Sequence, residues 1–558
     1  MMANITSDRC RGEATVLDQV LAAQIPPAWE TVVKFILVLS TGMLIFVAGW
    51  MGVLQRSFRI IPDAPMGNLW IWTLSGYGLI HYAALIWRIW LWSGYRPMAT
   101  VEEARLPRVT VIIPAYNEGS LVRDSIQSVT HSHYPPERLQ VIVVDDGSTD
   151  DTWEHIRNAA ASAPIPVTTI RQPRNKGKRH ALYTGFQHAT GDIWVTVDSD
   201  SILHPEALRN GVSPLIRDQR IGLVAGCVKV LNRNDSLITR FLKVQFVLSF
   251  TFSRAYQSQI RGLLTTPGAL SIYRASAVKP VLEAWLHQTF LGAPCLTGED
   301  RALTNLITAR GFHSFFQSNA VVWAQMPSRY TGMAKMYLRW ARSNIRETLV
   351  LLSFLFTPFR RDYVWAFRIN SVLITTTLIV PYVLIFNSYC LLLTSPSWLF
   401  KHAVIVAVFS IPMAAIYFRS ERDSDFAWVI AYEFFWVLAC QWIMPYAFLT
   451  CRQQGTWITR ESPAGAPVGH QNVFHRIRRL MTGGWRHAAD EAGLTRRVDV
   501  KPTPAWVIGL FIFILAALVF LTRMDAVSNA AQRKMAALKG LPFIFTGSTE
   551  ESNHLKTE

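Results

Sequence analysis

The sequence predicts an α/β catalytic-type domain, with a mixed and mostly parallel sheet covered by helices, inserted between transmembrane α-helices of a multi-pass membrane protein. Three observations carry this expectation. Half of the 558 residues are hydrophobic and the mean hydropathy is +0.20, too apolar for an ordinary soluble chain of this size. Apolar runs of spanning length flank a polar stretch near residues 105–330, and inside that stretch strand-like and helix-like segments alternate.

The apolar runs come first in the chain. Phe35–Leu54 and Leu69–Trp92 precede the polar stretch, Ile369–Thr394 and His402–Phe418 follow it, and Trp506–Leu521 lies near the end. Phe426–Thr450 is long enough to cross but contains Pro445. Arg9 and Arg11 are followed by no short apolar core with a small-residue cleavage site, so a removable signal peptide is not expected. The six cysteines are scattered without a CxxC pair or metal-finger spacing, which predicts free thiols. A net charge of +17 could suit nucleic acid, but no recognition-module pattern accompanies it, and basic loops beside membrane spans explain the excess more simply.

Within the polar stretch, strands are expected at Val109–Pro114, Leu139–Val144, Val167–Ile170 and Ile193–Val197. Helices are expected at Ser120–Thr130, Thr149–Ala161 and Lys178–His188. Such βαβα order implies a largely parallel sheet, which binds ligands beyond the carboxyl ends of its strands. The polar motifs fall there: "IIPAYNEGS" (112–120), "VIVVDDGSTDD" (141–151) and "RNKGKRHAL" (174–182). Acidic and amide groups suit base and ribose hydroxyls, and Lys176, Lys178 and Arg179 suit phosphates. Any one of these could be a polar turn or helix cap, but three on successive strand ends describe a nucleotide pocket.

The fourth strand ends in "VDSDS". Residues i and i+2 of an extended chain face the same way, so Asp198 and Asp200 can reach one point beyond the strand, as a shared cation requires. Further on, "LTGEDRALTN" (296–305) uses a Gly-led turn to present Glu299 and Asp300 at the start of a helix. Taken alone it would read as a helix cap with acidic first-turn residues. The stretch 333–356 is an amphipathic helix with Met333, Met336, Tyr337 and Trp340 on one face and Arg339, Arg342 and Arg346 on another, a pattern that also suits an interfacial membrane anchor.

Taken in order, "PAYNEGS", "VVDDGSTDDT", "NKGKRHAL", "VDSDS", "FLGAPCLTGEDRALTN" and "RWARSNIRET" resemble the motifs of processive family 2 glycosyltransferases, the group of hyaluronan, chitooligosaccharide and cellulose synthases. The resemblance covers roughly residues 109–350 and extends more weakly to the flanking spans and to "GTWITR" (455–460). It implies a GT-A fold, a nucleotide-sugar donor expected to be a UDP-sugar with a GDP-sugar as the alternative, and Mg²⁺ or Mn²⁺ held by Asp198 and, most directly, Asp200. It assigns Ala115, Tyr116, Glu118, Asp146, Lys178 and Arg179 to the donor together with Asp198, Arg339 and Arg460. Asp300 becomes the catalytic base, with Glu299 beside it at the acceptor. The family's Gln-x-x-Arg-Trp motif is matched at Arg339, for the diphosphate, and Trp340, for the acceptor sugar, whereas Met336 stands at the glutamine position. Trp457, Thr459 and Arg460 match a gating Trp-x-Thr-Arg sequence; alternatively, Trp457 is an interfacial aromatic and Arg460 a positive-inside charge.

The expected organisation is a cytosolic segment (1–30), two transmembrane helices (31–96), the glycosyltransferase domain (105–330), amphipathic interfacial helices (331–362), transmembrane helices with a re-entrant or interfacial segment (363–450), a basic cytosolic segment with the gate (451–502), a final transmembrane helix (503–523) and a tail (524–558). The re-entrant element is Phe426–Thr450: three full crossings between 363 and 451 would put the basic segment outside, against the positive-inside rule. The expected function is that of an inverting transferase of the bacterial inner membrane that polymerises the donor sugar into a β-linked polysaccharide and translocates it across the membrane. Its partners are the donor, the growing polysaccharide and the bilayer. Transfer of a single sugar to a lipid carrier and a non-catalytic membrane scaffold are the alternatives.

Overall fold

The computed structural model describes residues 28–52, 67–362, 364–383 and 397–452. The N-terminal segment, the gating residues Trp457, Thr459 and Arg460, the basic segment after 452 and the apolar run Trp506–Leu521 lie outside the described residues.

Two long helices, α1 (Ala28–Trp50) and α2 (Gly67–Gly94), precede the domain. The alternation then follows the sequence pattern closely: β1 (Val109–Ala115), α3 (Leu121–Thr130), β2 (Leu139–Asp145), α4 (Thr152–Ala161), β3 (Val167–Arg171), α5 (Lys178–Gln187) and β4 (Ile193–Thr196). Every residue of β1 is buried, as expected of a strand covered on both faces. Helix α3 packs Val122, Ile126 and Val129 into the same core at helical spacing.

The chain continues through β5 (Ser201–Leu203), α6 (Ala207–Arg217), β6 (Ile221–Val230), α7 (Leu237–Phe246), α8 (Ser253–Gln259), β7 (Ser271–Arg274), the short pair β8 (Thr289–Phe290) and β9 (Ala293–Pro294), α9 (Glu299–Ala309) and β10 (His313–Ala324). The main sheet has eight strands in the order β3-β2-β1-β4-β7-β6-β10-β5. Pairings β1 with β2, β1 with β4, β2 with β3 and β6 with β10 are parallel. Those of β4 with β7, β6 with β7 and β5 with β10 are antiparallel, so the sheet is mixed with a parallel majority. A π-helical turn, Val247–Phe252, joins α7 to α8. Ser236 and Thr239 cap α7 reciprocally, each side chain accepting from the other's backbone N–H.

After the sheet come α10 (Tyr330–Leu355), α11 (Trp365–Thr377), α12 (Ser397–Glu421), α13 (Phe426–Phe435) and α14 (Ile443–Thr450). The segment expected as several interfacial helices is mainly one continuous helix, α10. Among the described residues, three segments are long and apolar enough to cross a membrane: Trp29–Trp50, Trp365–Val383 and Leu399–Glu421. They carry outward-facing Phe35, Phe46, Phe409 and Phe418, as a lipid-facing surface requires. The run Phe426–Thr450 is broken, bent by 44° between Cys440 and Ile443, after a π-helical turn at Trp436–Cys440 and before Pro445.

Ion pairs tie the membrane helices to the domain. Lys34 of α1 bridges Glu30 and Asp425 at 2.8 and 2.5 Å, Arg240 of α7 pairs with Glu30 at 3.1 Å, and Lys243 of α7 holds Asp423 at 2.8 Å and also Asp425. The first turns of α1 and the loop after α12 therefore sit against the same domain-side helix.

Candidate active site

The side of the site expected from the sequence to take a nucleotide is assembled from loops at the carboxyl ends of β1, β2 and β3. Thr152 Oγ1, at the start of α4, accepts from the backbone N–H groups of both Glu118 and Gly119 at 2.8 Å. Ser148 Oγ accepts from Asn117 N–H, and Asn117 Oδ1 accepts from Thr149 N–H. Asp146, fully buried, accepts from Lys176 and Gly177 N–H at 2.9 and 2.7 Å, which fastens the third loop to the second. Burial pushes its carboxyl up to about 6 despite those donors. Gly147 adopts φ +69° where a Cβ would lie 2.6 Å from the Arg174 carbonyl carbon, so only glycine allows the two loops to close.

The acidic end of β4 meets the Gly-led turn before α9. Asp198 and Asp200 line one cavity of about 990 Å³ together with Glu118, Lys178, Glu299 and Asp300. Lys178 is the pivot: its Nζ lies 2.5 Å from Asp198 Oδ1 and 3.0 Å from Glu299 Oε1. Burial works against its charge, but the two carboxylates outweigh that and raise its pKa. The same contact separates the neighbouring carboxyls. Both are partly shielded from solvent, but Lys178 holds Glu299 below the usual range, whereas desolvation and the Glu299 charge hold Asp300 above it. Among the described residues no cluster of three or more Asp, Glu, His or Cys is placed to hold a metal ion. Two carboxylates facing one cavity, Asp198 and Asp200, are of the residue type that a hard cation takes when substrate oxygens complete its coordination.

The floor of the cavity is α10. Gly298 caps α9 in the left-handed region at φ +72°, and a Cβ there would lie 2.5 Å from Ser343 Cβ, so the loop bearing Glu299 and Asp300 rests directly on α10. A buried polar network fixes the contact. Arg301 donates to Asn344 and Thr348, Asn305 donates to Glu347, and Arg346 donates to Thr297 O and pairs with Glu347 at 2.9 Å. The basic face expected on this helix is thus divided by the tertiary structure. Arg339 lines the cavity, Arg342 lies half-buried against Thr450 and the Tyr446 ring, and Arg346 is almost wholly buried.

Trp340 lines the cavity beside Phe246 and Phe250 on the π-turned helix, with ring centroids 6.1 and 6.3 Å away. Met336, at the position of the family glutamine, is buried at the same wall. The cavity continues past these rings to Arg88 of α2 and to Ile374 and Thr377 of α11.

The structure therefore brings Glu118, Lys178, Asp198, Asp200, Glu299, Asp300, Arg339 and Trp340 to one cavity. Ala115 and Asp146 stand buried at the ends of β1 and β2, and Tyr116 begins the first loop. Arg179 departs from its expected phosphate contact. Its guanidinium donates to Trp285 O at 2.5 Å and to Gln288, stacks 5.2 Å over the Trp285 ring, and is buried behind α5. Helical geometry turns adjacent residues about 100° apart, so Lys178 and Arg179 cannot share a target. Sequence reasoning passed over Phe246, Phe250 and the Pro267-Gly268 turn, where a Cβ on Gly268 would lie 2.8 Å from Lys178 Nζ. The aromatic spacing of 246–252 was the available signal.

The chain is similar to known proteins over the same region. Residues 107–343 match the family described as "Glycosyltransferase like family 2". An N-acetylglucosaminyltransferase of Azorhizobium caulinodans is 31% identical over 361 residues, covering 64% of this chain and 88% of that protein. A hyaluronan synthase of Streptococcus pyogenes is 31% identical over 283 residues, covering 50% of this chain and 66% of that protein. Among solved structures, a mannosyltransferase of Pyrobaculum calidifontis in complex with GDP-Man and Mn²⁺ aligns with a TM-score of 0.47 at 22% identity, over 67% of this chain and 96% of that one.

Proposed function

The chain belongs to glycosyltransferase family 2, and from that premise we propose that it polymerises a sugar from a nucleotide-sugar donor into a β-linked polysaccharide and passes the product into the membrane. The carrying observation is the continuity of one cavity from the carboxylates at the sheet edge, over the Trp340, Phe246 and Phe250 rings, to Arg88 of α2 and to Ile374 and Thr377 of the span-length helix α11. A transferase of single sugars needs the first part of that cavity and has no use for the rest.

In this reading Glu118, Asp146 and Lys178 hold the nucleotide, Arg339 meets the diphosphate, and the donor is a UDP-sugar. Asp198 and Asp200 would hold Mg²⁺ or Mn²⁺, which when bound offsets the charge that develops on the departing diphosphate. Asp300 accepts the proton of the acceptor hydroxyl; the acceptor oxygen attacks the anomeric carbon from the side opposite the diphosphate as the bond from that carbon to the diphosphate oxygen breaks, inverting the centre. A raised pKa suits Asp300 to that task, since the carboxylate gains basicity by being desolvated beside Glu299. Trp340 supports the acceptor sugar. Glu299, held ionised by Lys178, lies next to the acceptor.

Both ends of the bent run Phe426–Thr450 meet the domain side. Asp425 is held by Lys243, while Thr450 bonds Arg342 and Cys451 packs with Cys295 and Phe290. These contacts support a re-entrant element that does not cross, with the domain in the cytosol of a bacterial inner-membrane enzyme. Size-fractionating the product made from radiolabelled UDP- and GDP-sugars by the purified protein in bilayers tests the whole proposal. Long polymer is expected; a lipid-linked monosaccharide as the sole product would replace it with the single-sugar reading.

A further inference from the structure

A second cavity, of about 350 Å³, lies apart from the catalytic one, where the domain ends of α2 and α12 meet β6 and the π turn. Three cationic side chains line it, Arg96, Lys229 and Arg419, against a single acid, Glu421, which sits 3.5 Å from Lys229. Arg96 and Arg419 are exposed, and Lys229 is about two-fifths exposed. Arg419 stacks on the Trp92 ring at 5.6 Å, and Trp92 in turn meets Phe252 edge-on at 5.4 Å, so the guanidinium is positioned by an aromatic wall.

Trp90 and Phe418, 68% and 52% exposed, stand on the same helical turns that supply Trp92 and Arg419. An excess of two positive charges above outward-facing aromatic side chains is the chemistry of the headgroup level of a bilayer. Both helix ends also lie on the domain side: Asp423 and Asp425, just after α12, are held by Lys243, and the Tyr95 hydroxyl, just after α2, donates to Phe316 O of β10.

We propose that this pocket binds the phosphate of an anionic phospholipid, with Arg96, Lys229 and Arg419 around the headgroup and the acyl chains along the span-length helix α12 at its exposed Phe418. The bound lipid bridges α2 and α12 to β6, and so fixes the domain to the bilayer at a point remote from the reaction. This rests on α12 as a membrane span and on the crossing expected of α2 from the sequence, and not on the sugar chemistry.

The test uses the full chain in nanodiscs of phosphatidylcholine alone or mixed with phosphatidylglycerol, followed by extraction and native mass spectrometry of retained lipid. The intact protein is expected to retain phosphatidylglycerol in preference to phosphatidylcholine. A Lys229→Gln, Arg419→Gln double variant is expected to lose that preference by roughly thirtyfold, at about 1 kcal/mol per charge and 1.4 kcal/mol per tenfold. Glu421→Gln should strengthen retention, an opposite sign that misfolding does not produce, and Arg157→Gln, an exposed charge on α4, should leave it unchanged. Equal retention of both lipids by the intact protein, or equal loss in the Arg157→Gln control, overturns the site. Competition by inorganic phosphate in detergent without retained phosphatidylglycerol replaces the lipid with a free anion. Failure to enter nanodiscs removes the membrane reading and this proposal with it.

Discussion

The two sides of the catalytic cavity are built differently. The nucleotide side consists of loops at neighbouring strand ends, stitched by short backbone-to-side-chain bonds such as those of Thr152 and Asp146. The acceptor side consists of elements far apart in sequence, α7, α9 and α10, locked by a buried polar network around Arg346 and Glu347. Parallel strands place their carboxyl ends together whatever else the chain does, so the first side follows from local order. The second exists only if a long helix docks at one register. Substitutions on the nucleotide side should therefore alter chemistry in a folded protein, and those in the network should alter folding.

The largest effect is expected from Asp200→Asn. A carboxamide keeps the shape but loses the charge needed to hold a cation against phosphate, so transfer should fall to background while the protein stays folded and membrane-inserted. Near-normal synthesis by that variant would remove the metal assignment.

Next comes Asp300→Asn, expected to lower turnover by about 10²–10⁴-fold with donor affinity retained. Measuring nucleotide binding and transfer on one sample decides it, and joint loss of both would make Asp300 structural. The same residue sets the pH profile. Its carboxyl titrates above the usual carboxylate range because it is desolvated beside Glu299, and it must be ionised to accept a proton. Transfer should thus fall reversibly as pH drops through that raised value, and the residual activity of Asp300→Asn should lack this acidic limb.

Glu347→Ala probes the other side. Glu347 and Arg346 are both almost wholly buried, so removing one partner leaves an uncompensated charge and should cost about 3–5 kcal/mol in thermal unfolding. An unchanged unfolding profile would show that the docking of α10 does not depend on this network.

The smallest effect sharpens the comparison from within the cavity. Trp340→Ala removes an aromatic platform worth about 0.5–1.5 kcal/mol, so elongation should slow by up to roughly tenfold while donor hydrolysis persists. Arg339→Ala should weaken both reactions, since it removes a charge that faces the diphosphate. Normal-length polymer from well-folded Trp340→Ala would return α10 to the role of a membrane anchor.

The order of strands and helices through β4, the nucleotide loops, the Asp198–Asp200 pair and the helix start at Glu299 were legible in the sequence. Each shows as a pattern within one short segment: period-two and period-3.6 burial, Gly-led turns, and the geometry of strand ends. Tertiary structure alone decided that Arg179 turns away to Trp285 while Lys178 joins Asp198 and Glu299. It also made Arg346 a buried partner of Glu347 and set Phe246 and Phe250 beside Trp340. The physical reason is that charge and aromatic character describe what a side chain can do, whereas its partner is chosen by the helix register and crossing that the whole core allows.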